Sequence, residues 1–240
     1  MKRAILGAVA LALTLIAVAV GVMAQTGSAS PSKEEARVRF IHASPDAPAV
    51  DVLLAESTVF TSVAFSEWTE YIDIATGTYT VSIQLSSAST PVLTDAVVLT
   101  ETDYTLTAAG TVASGGRPFE LLSLFDDNSA PPAGMVRGRF IHLVPDGPQV
   151  DIALEGTVLF ENVAYRDATD YVTVPPGTHT LQIRTPIGEV TTTATAQPNN
   201  VYSFVAVGRV IGSPELNVLK VLDESYNHPI WLPIVAATTS

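Results

Sequence analysis

Residues Arg37–Asp51 read R-V-R-F-I-H-A-S-P-D-A-P-A-V-D, and 100 positions later Arg137–Asp151 read R-G-R-F-I-H-L-V-P-D-G-P-Q-V-D. The offset holds without a gap from Arg37/Arg137 to Ile83/Ile183, and 20 of those 47 positions are identical. Phe60/Phe160, Val63-Ala64/Val163-Ala164, Tyr71/Tyr171 and Gly77-Thr78/Gly177-Thr178 all fall in register. Further on the halves drift by a few residues but keep their pattern. Asp103-Tyr-Thr-Leu aligns with Val201-Tyr-Ser-Phe, and Leu122-Ser-Leu-Phe-Asp126 with Leu219-Lys-Val-Leu-Asp223. A unit of roughly 90–100 residues is too long for a solenoid repeat. It is long enough to bury a core of its own.

Each unit reads as all-β. Val, Thr, Ile, Tyr and Phe are abundant and alternate with polar residues at period two. Tyr79, Val81, Ile83 and Leu85 share one strand face, as do Leu181 and Ile183. The pattern places strands near 37–43, 49–55, 58–65, 69–74, 78–85, 91–99, 103–111 and 119–125. The second unit repeats them near 137–143, 149–155, 157–164, 169–174, 178–185, 188–196, 200–208 and 216–222. Ser-Pro-Asp-Ala-Pro, Thr76-Gly77, Ser86–Pro91 and Ser114–Pro118 punctuate them. Short strands at this density predict a β-sandwich. Beyond residue 24 no amphipathic helical pattern exceeds two turns. A mostly parallel sheet, whose crossovers need helices, is therefore excluded. The expectation is two tandem homologous β-sandwich domains, immunoglobulin-like or transthyretin-like. They occupy 37–127 and 136–225, separated by the Pro-Pro stretch 128–135 and followed by a tail, 226–240.

The chain has 240 residues, 12 basic against 24 acidic, a net charge of -12 and no cysteine. The acid excess speaks against nucleic acid, whose phosphates need clustered Lys and Arg. The lack of cysteine excludes disulfides, thiolate-bound zinc, iron–sulfur clusters and a thiol nucleophile. Lys2 and Arg3 open a stretch, Ala4–Val22, that is uncharged and almost wholly apolar. Val22-Met23-Ala24 has the small-residue spacing of a signal-peptidase site. Residues 1–24 read as a signal helix. They are either removed, leaving 10 basic residues against 24 acidic, or retained as an anchor about long enough to span a bilayer. In both cases the bulk of the chain is expected to be extracytoplasmic, secreted or envelope-associated, touching membrane only through an uncleaved leader. Residues 25–36, Q-T-G-S-A-S-P-S-K-E-E-A, read as a flexible linker.

The motif R-x-R-F-I-H-x-x-P-D-x-P-x-V-D, followed by F-x-x-V-A-[FY] and Y-x-x-[IV]-x-x-G-T-[YH]-T, resembles the bacterial domain-of-unknown-function family 4397. The resemblance covers 37–225, both units. It implies exported, surface-associated β-sandwich repeats, and it brings no catalytic residues with it. The hairpins Ala75–Val81 and Pro175–Leu181 also resemble a turn common in surface sandwich modules.

Candidate chemistry lies in the repeated opening. His42, Asp46 and Asp51 recur as His142, Asp146 and Asp151. Imidazole with carboxylates suits zinc, manganese or iron, so each trio is a metal candidate. The structural reading is preferred, and no cofactor is expected. Arg39, Phe40, His42 and Asp51, with Arg139, Phe140, His142 and Asp151, then form a structural motif. His42 lies on the strand face of Val38 and Phe40 and is expected to hydrogen-bond a carbonyl or carboxylate. Asp46, after Pro45, is expected to cap backbone N–H groups. If 43–48 is a hairpin loop, Arg39 faces Asp51 in a cross-strand ion pair of about 0.2–1 kcal/mol. The same applies to Arg139 and Asp151.

Motifs of serine hydrolases, zincins and P-loops are missing. His179 replaces Tyr79 and does not read as a retained base, and His228 reads as a loop residue. Asp126-Asp127-Asn128 and Asp223-Glu224 lack the spacing of a calcium loop and read as solvated domain ends. Trp68 has Ala168 as its counterpart, so the fold does not require it. It is a possible ligand contact or a rim residue between domains. Trp231 is expected to cover an edge strand or a domain interface. The sequence thus predicts a non-enzymatic binding or spacer module whose partner is an unknown protein or carbohydrate at the cell surface. An exported hydrolase or metal-dependent enzyme, and a carbohydrate-binding module, are the alternatives.

Overall fold

A computed structural model describes residues 34–113, 116–186 and 188–227. The leader, His228 and Trp231 lie outside the described residues. Among the described residues sixteen strands follow one another without a helix. The first half holds β1 (Glu35–His42), β2 (Val50–Leu54), β3 (Ser57–Val63), β4 (Ile72–Ala75), β5 (Gly77–Leu85), β6 (Pro91–Leu99), β7 (Asp103–Ala109) and β8 (Glu120–Asp126). The second holds β9 (Val136–His142), β10 (Val150–Leu154), β11 (Thr157–Val163), β12 (Val172–Val174), β13 (Gly177–Thr185), β14 (Gly188–Ala196), β15 (Asn200–Val207) and β16 (Asn217–Ser225).

Each half contributes two four-stranded sheets of identical topology, β4-β1-β7-β8 with β3-β2-β5-β6, and β12-β9-β15-β16 with β11-β10-β13-β14. The fold is the all-β double sandwich expected. Pairing is antiparallel except for β1 with β7 and β9 with β15, which run parallel without a helical crossover. The connection between each parallel pair passes through the other sheet of the same half, with β4 or β12 returning to the edge of the first. β1 starts at Glu35, two residues inside the stretch read as linker.

Period-two alternation decides the layering. Val38 and Phe40 of β1 face Val50, Val52, Val81 and Ile83 of the outer sheet, forming the first core. Ile41 points the other way, into a cluster with Ala109, Leu122, Ile141, Val205, Leu219 and Val221, drawn from both halves. Phe140, Ile152, Leu181 and Ile183 fill the second half's own core. The result is four layers, with the two inner sheets packed on each other. Strands β1, β7, β9 and β15 are therefore covered on both faces, and Phe40, Ile41, Ile141 and Val205 are fully or almost fully buried.

Candidate functional site

The inner sheets meet through a buried polar junction with approximate two-fold symmetry. Arg39 sits one residue out of step with Val38 and Phe40, so the strand turns it away from its own core and toward the other half. Its Nη2 donates to Asp223 Oδ1 at 2.6 Å, its Nη1 to the Leu222 carbonyl at 3.2 Å, and its Nε to Thr105 Oγ1 at 2.8 Å. Arg139 repeats this in reverse. It pairs with Asp126, donates to the Phe125 carbonyl at 2.7 Å, and reaches Ser203 Oγ at 2.8 Å. Each carboxylate is completed by its own half. Tyr71 and Thr105 hydroxyls donate to Asp126 Oδ2 at 2.5 and 2.6 Å, and those of Tyr171 and Ser203 to Asp223 Oδ2, both at 2.8 Å. The Tyr71 ring lies 4.7 Å from the Arg39 guanidinium and 5.1 Å from that of Arg37, and Tyr171 does the same for Arg139 and Arg137.

All four charges are buried, at 1–4% exposure. Such pairs hold only when every donor and acceptor is met. Burial is the largest influence on Arg39 and opposes its charge, but attraction to Asp223 and Asp126 outweighs it, so the guanidinium is held above its ordinary value. Arg139 behaves alike. Burial, then the neighbouring Asp126 or Asp223 carboxylate, raises the phenols of Tyr71 and Tyr171. Around the junction, Arg37 Nη1 reaches Glu224 Oε2 at 2.7 Å, and Arg137 Nη2 reaches Asp127 Oδ2 at 2.6 Å. Arg209 lies 3.5 Å from Asp46, and Arg166 3.3 Å from Glu120.

The His–Asp motif forms a clamp inside each half. The His42 ring is buried beside Phe65; its Nε2 bonds the Pro48 carbonyl at 3.0 Å, and its Nδ1 accepts from Ser44 N–H at 3.3 Å. That pattern calls for a neutral ring protonated on Nε2. His142 makes the same bonds to the Pro148 carbonyl and Val144 N–H. Burial lowers both imidazoles below their ordinary value, against the partial support of the Pro48 and Pro148 carbonyls. Asp46 accepts Val112 and Ala113 N–H at 2.9 and 3.0 Å, and Asp146 accepts Val210 and Ile211 N–H at 2.9 and 3.1 Å. Gly110 and Gly208 begin those captured loops at φ +83° and +97°. A side chain at either would collide with a facing carbonyl, Pro118 or Glu215.

Two expectations need correction. Arg39 does not pair with Asp51, nor Arg139 with Asp151. Residues 43–49 cross from one sheet to the other instead of forming a hairpin, so β1 and β2 are not neighbours. Asp51 instead accepts Ser62 N–H at 2.8 Å and the Ser86 hydroxyl at 2.6 Å, and Asp151 accepts Asn162 N–H at 2.8 Å. Asp126, Asn128 and Asp223 are not solvated ends; they are 2%, 7% and 4% exposed. Asp46 caps backbone N–H groups as expected, those of Val112 and Ala113 in another loop.

His42, Asp46 and Asp51 do not converge, and neither do His142, Asp146 and Asp151. Each carboxylate is spent on backbone N–H groups of a different segment. Among the described residues no three His, Asp or Glu side chains are placed to hold a metal ion. Trp68 is 41% exposed and forms an isolated bridge with Ile41, which Ala168 copies with Ile141. His179 bonds the Pro175 carbonyl at 2.8 Å. Reasoning from sequence missed the partnership of Arg39 with Asp223 and of Arg139 with Asp126. The signal was there: Asp126 and Asp223 align, and each follows a strand pattern in which an isolated acid falls on an apolar face.

The sequence model of a family described as "Domain of unknown function (DUF4397)" matches residues 36–153 and again 136–229. No curated protein matches the chain significantly. One solved structure, described as "Alpha-glucan binding by a streptococcal virulence factor", is 11% identical, covers 70% of this chain and 91% of its own, and has a TM-score of 0.21. A putative cell adhesion protein from Bacteroides ovatus ATCC 8483 is 7% identical, covers 82% of this chain and 100% of its own, and has a TM-score of 0.22. Likenesses of that size carry no weight for fold or ligand.

Proposed function

We propose a role from the premise that this chain belongs to the DUF4397 family, whose domain of unknown function it carries twice. The role is that of an exported, non-enzymatic binding or spacer module, with a protein or carbohydrate partner at the cell surface. One observation supports this most. Among the described residues, every polar side chain of the repeated motif is bound to a scaffold partner. His42 and His142 hold carbonyls, Asp46 and Asp146 hold loops, and Arg39 and Arg139 hold the opposite half. Groups so committed are poor acids, bases or ligands, because releasing them leaves buried partners unmet. They make a stiff body that presents its outer surface. The leader Lys2–Ala24 supports export.

Two experiments on the full chain test this. Cell fractionation with protease accessibility is expected to find the body outside the cytoplasm. A panel of glycoside, ester and phosphate substrates, with and without zinc, manganese or calcium, is expected to show no turnover. Metal-dependent turnover lost in His42→Ala would contradict the reading.

A further inference from the structure

The two halves differ at the margin of their junction, where Ala168 stands in for Trp68. Beside Ala168 a cleft of about 520 Å³ runs between β8 and the segment 168–171. It shares Leu124, Ala168, Thr169 and Asp170 with a second hollow of about 700 Å³ that continues past Phe160 to Glu161 and Asn162. The two make one open, elongated groove. Its lining is mixed, with Leu124, Ala168, Leu159 and Phe160 as apolar patches among polar and charged side chains.

Several polar side chains along this groove are not spent on the scaffold. The carboxylates of Glu161 and Asp170, the Asn162 amide and the Ser123 hydroxyl have no partner within the described residues, and all four residues are exposed. Their repeat counterparts are Thr61, Glu70, Ser62 and, on β16 of the second half, Lys220; the Lys220 ammonium donates to the Thr195 carbonyl, so the matching position there carries a bonded cation in place of a free hydroxyl. Unspent acceptors and donors beside apolar patches suit a ligand with C–H faces and many hydroxyls. A hydroxyl can give a proton to a carboxylate, and both give to and take from an amide. The arginines along the groove, Arg137, Arg139 and Arg166, are paired with Asp127, Asp126 and Glu120, so its two bare carboxylates, on a chain of net charge -12, disfavour anions. An open, elongated groove suits a polymer segment better than an enclosed small molecule.

We propose that this groove, opened by Ala168 and edged by Glu161, Asn162, Asp170 and Ser123, binds an extended neutral oligosaccharide. This rests on the binding role above and names its ligand class.

The test is native affinity electrophoresis of the full chain in gels carrying a neutral glucan, mannan or xylan. Polygalacturonate and polylysine serve as charged controls. At least one neutral polysaccharide is expected to retard the chain. Ala168→Trp installs the side chain that the first half already carries at this position, and is expected to weaken binding at least about tenfold. Asp170→Ala is expected to weaken it by about tenfold with the melting temperature unchanged, which guards against a misfolded Ala168→Trp. Retardation by no neutral polysaccharide, by a charged control alone, or unaltered in both variants would overturn the proposal and leave the spacer role standing. Release of reducing ends from the retained polysaccharide would instead contradict the non-enzymatic reading and leave the groove assigned.

Discussion

The Arg–Asp junction and the His–Asp clamps are both written twice in the chain, yet they act at different levels. The clamp of each half closes on itself: His42 holds Pro48, and Asp46 holds Val112 and Ala113. The junction is made by exchange, with each half giving its arginine to the other's aspartate. A duplicated motif thus shows which residues matter to both copies, but not whether they act within a copy or between copies. Here strand parity separates the two. Val38, Phe40 and His42 face their own core, while Arg39 and Ile41 face the partner half.

The sharpest way to break this comparison is to remove one junction charge. Arg39→Met leaves Asp223 buried without its counter-ion, and is expected to cost about 3–5 kcal/mol in urea unfolding. Adding Asp223→Leu is expected to recover a substantial part, giving a coupling energy above about 1 kcal/mol. A cost for Arg39→Met near that of a surface pair, about 0–1 kcal/mol, would mean that the junction contributes little.

Removing a clamp is expected to cost less. His142→Ala strands the Pro148 carbonyl and Val144 N–H, a loss of about 1–3 kcal/mol by the same measurement. The clamps also set a pH dependence. Both imidazoles titrate below 6.5 in the folded state, since burial outweighs the carbonyl bonds and the nearby Glu67 and Asp167. The unfolded chain takes up their protons first, so stability is level above about 6.5 and falls as pH drops from there toward the lowered folded values. Asp46, lowered by bonds that outweigh its burial, and Asp51, lowered chiefly by Ser86, lose their contributions only in the carboxylate range, around 3.8 and below. Replacing both histidines by glutamine is expected to flatten the stability curve between pH 6.5 and 5, checked by melting temperature against pH. The smallest effect is that of Asp51→Ala, a partly exposed turn contact expected to cost at most about 1 kcal/mol.

The strands were legible because nearly all obey period two and end at Pro, Gly or Asp, and the duplication confirmed each one against its copy. The His42 environment was legible too, since it shares a face with Val38 and Phe40. The hairpin pairing of Arg39 with Asp51 failed for one reason. A loop of Ser-Pro-Asp-Ala-Pro can equally turn back along a sheet or cross to another, and local residues do not choose between them. What decides is the burial of both faces of β1, which requires a layer on each side. The same gap hid Asp126 and Asp223. Near a run of acids they read as solvent-facing, and only the opposite half supplies the arginine that lets them be buried. The groove beside Ala168 was foreshadowed only as an unmatched Trp68, because an opening between layers has no local pattern.

The central claim is that the exchanged arginines and the shared apolar cluster make two homologous halves into one folding body. Differential scanning calorimetry of the full chain tests it most directly. The account predicts a single transition with calorimetric and van't Hoff enthalpies equal, splitting or broadening in Arg39→Met. Two independent transitions in the native chain, unmoved by that substitution, would contradict it.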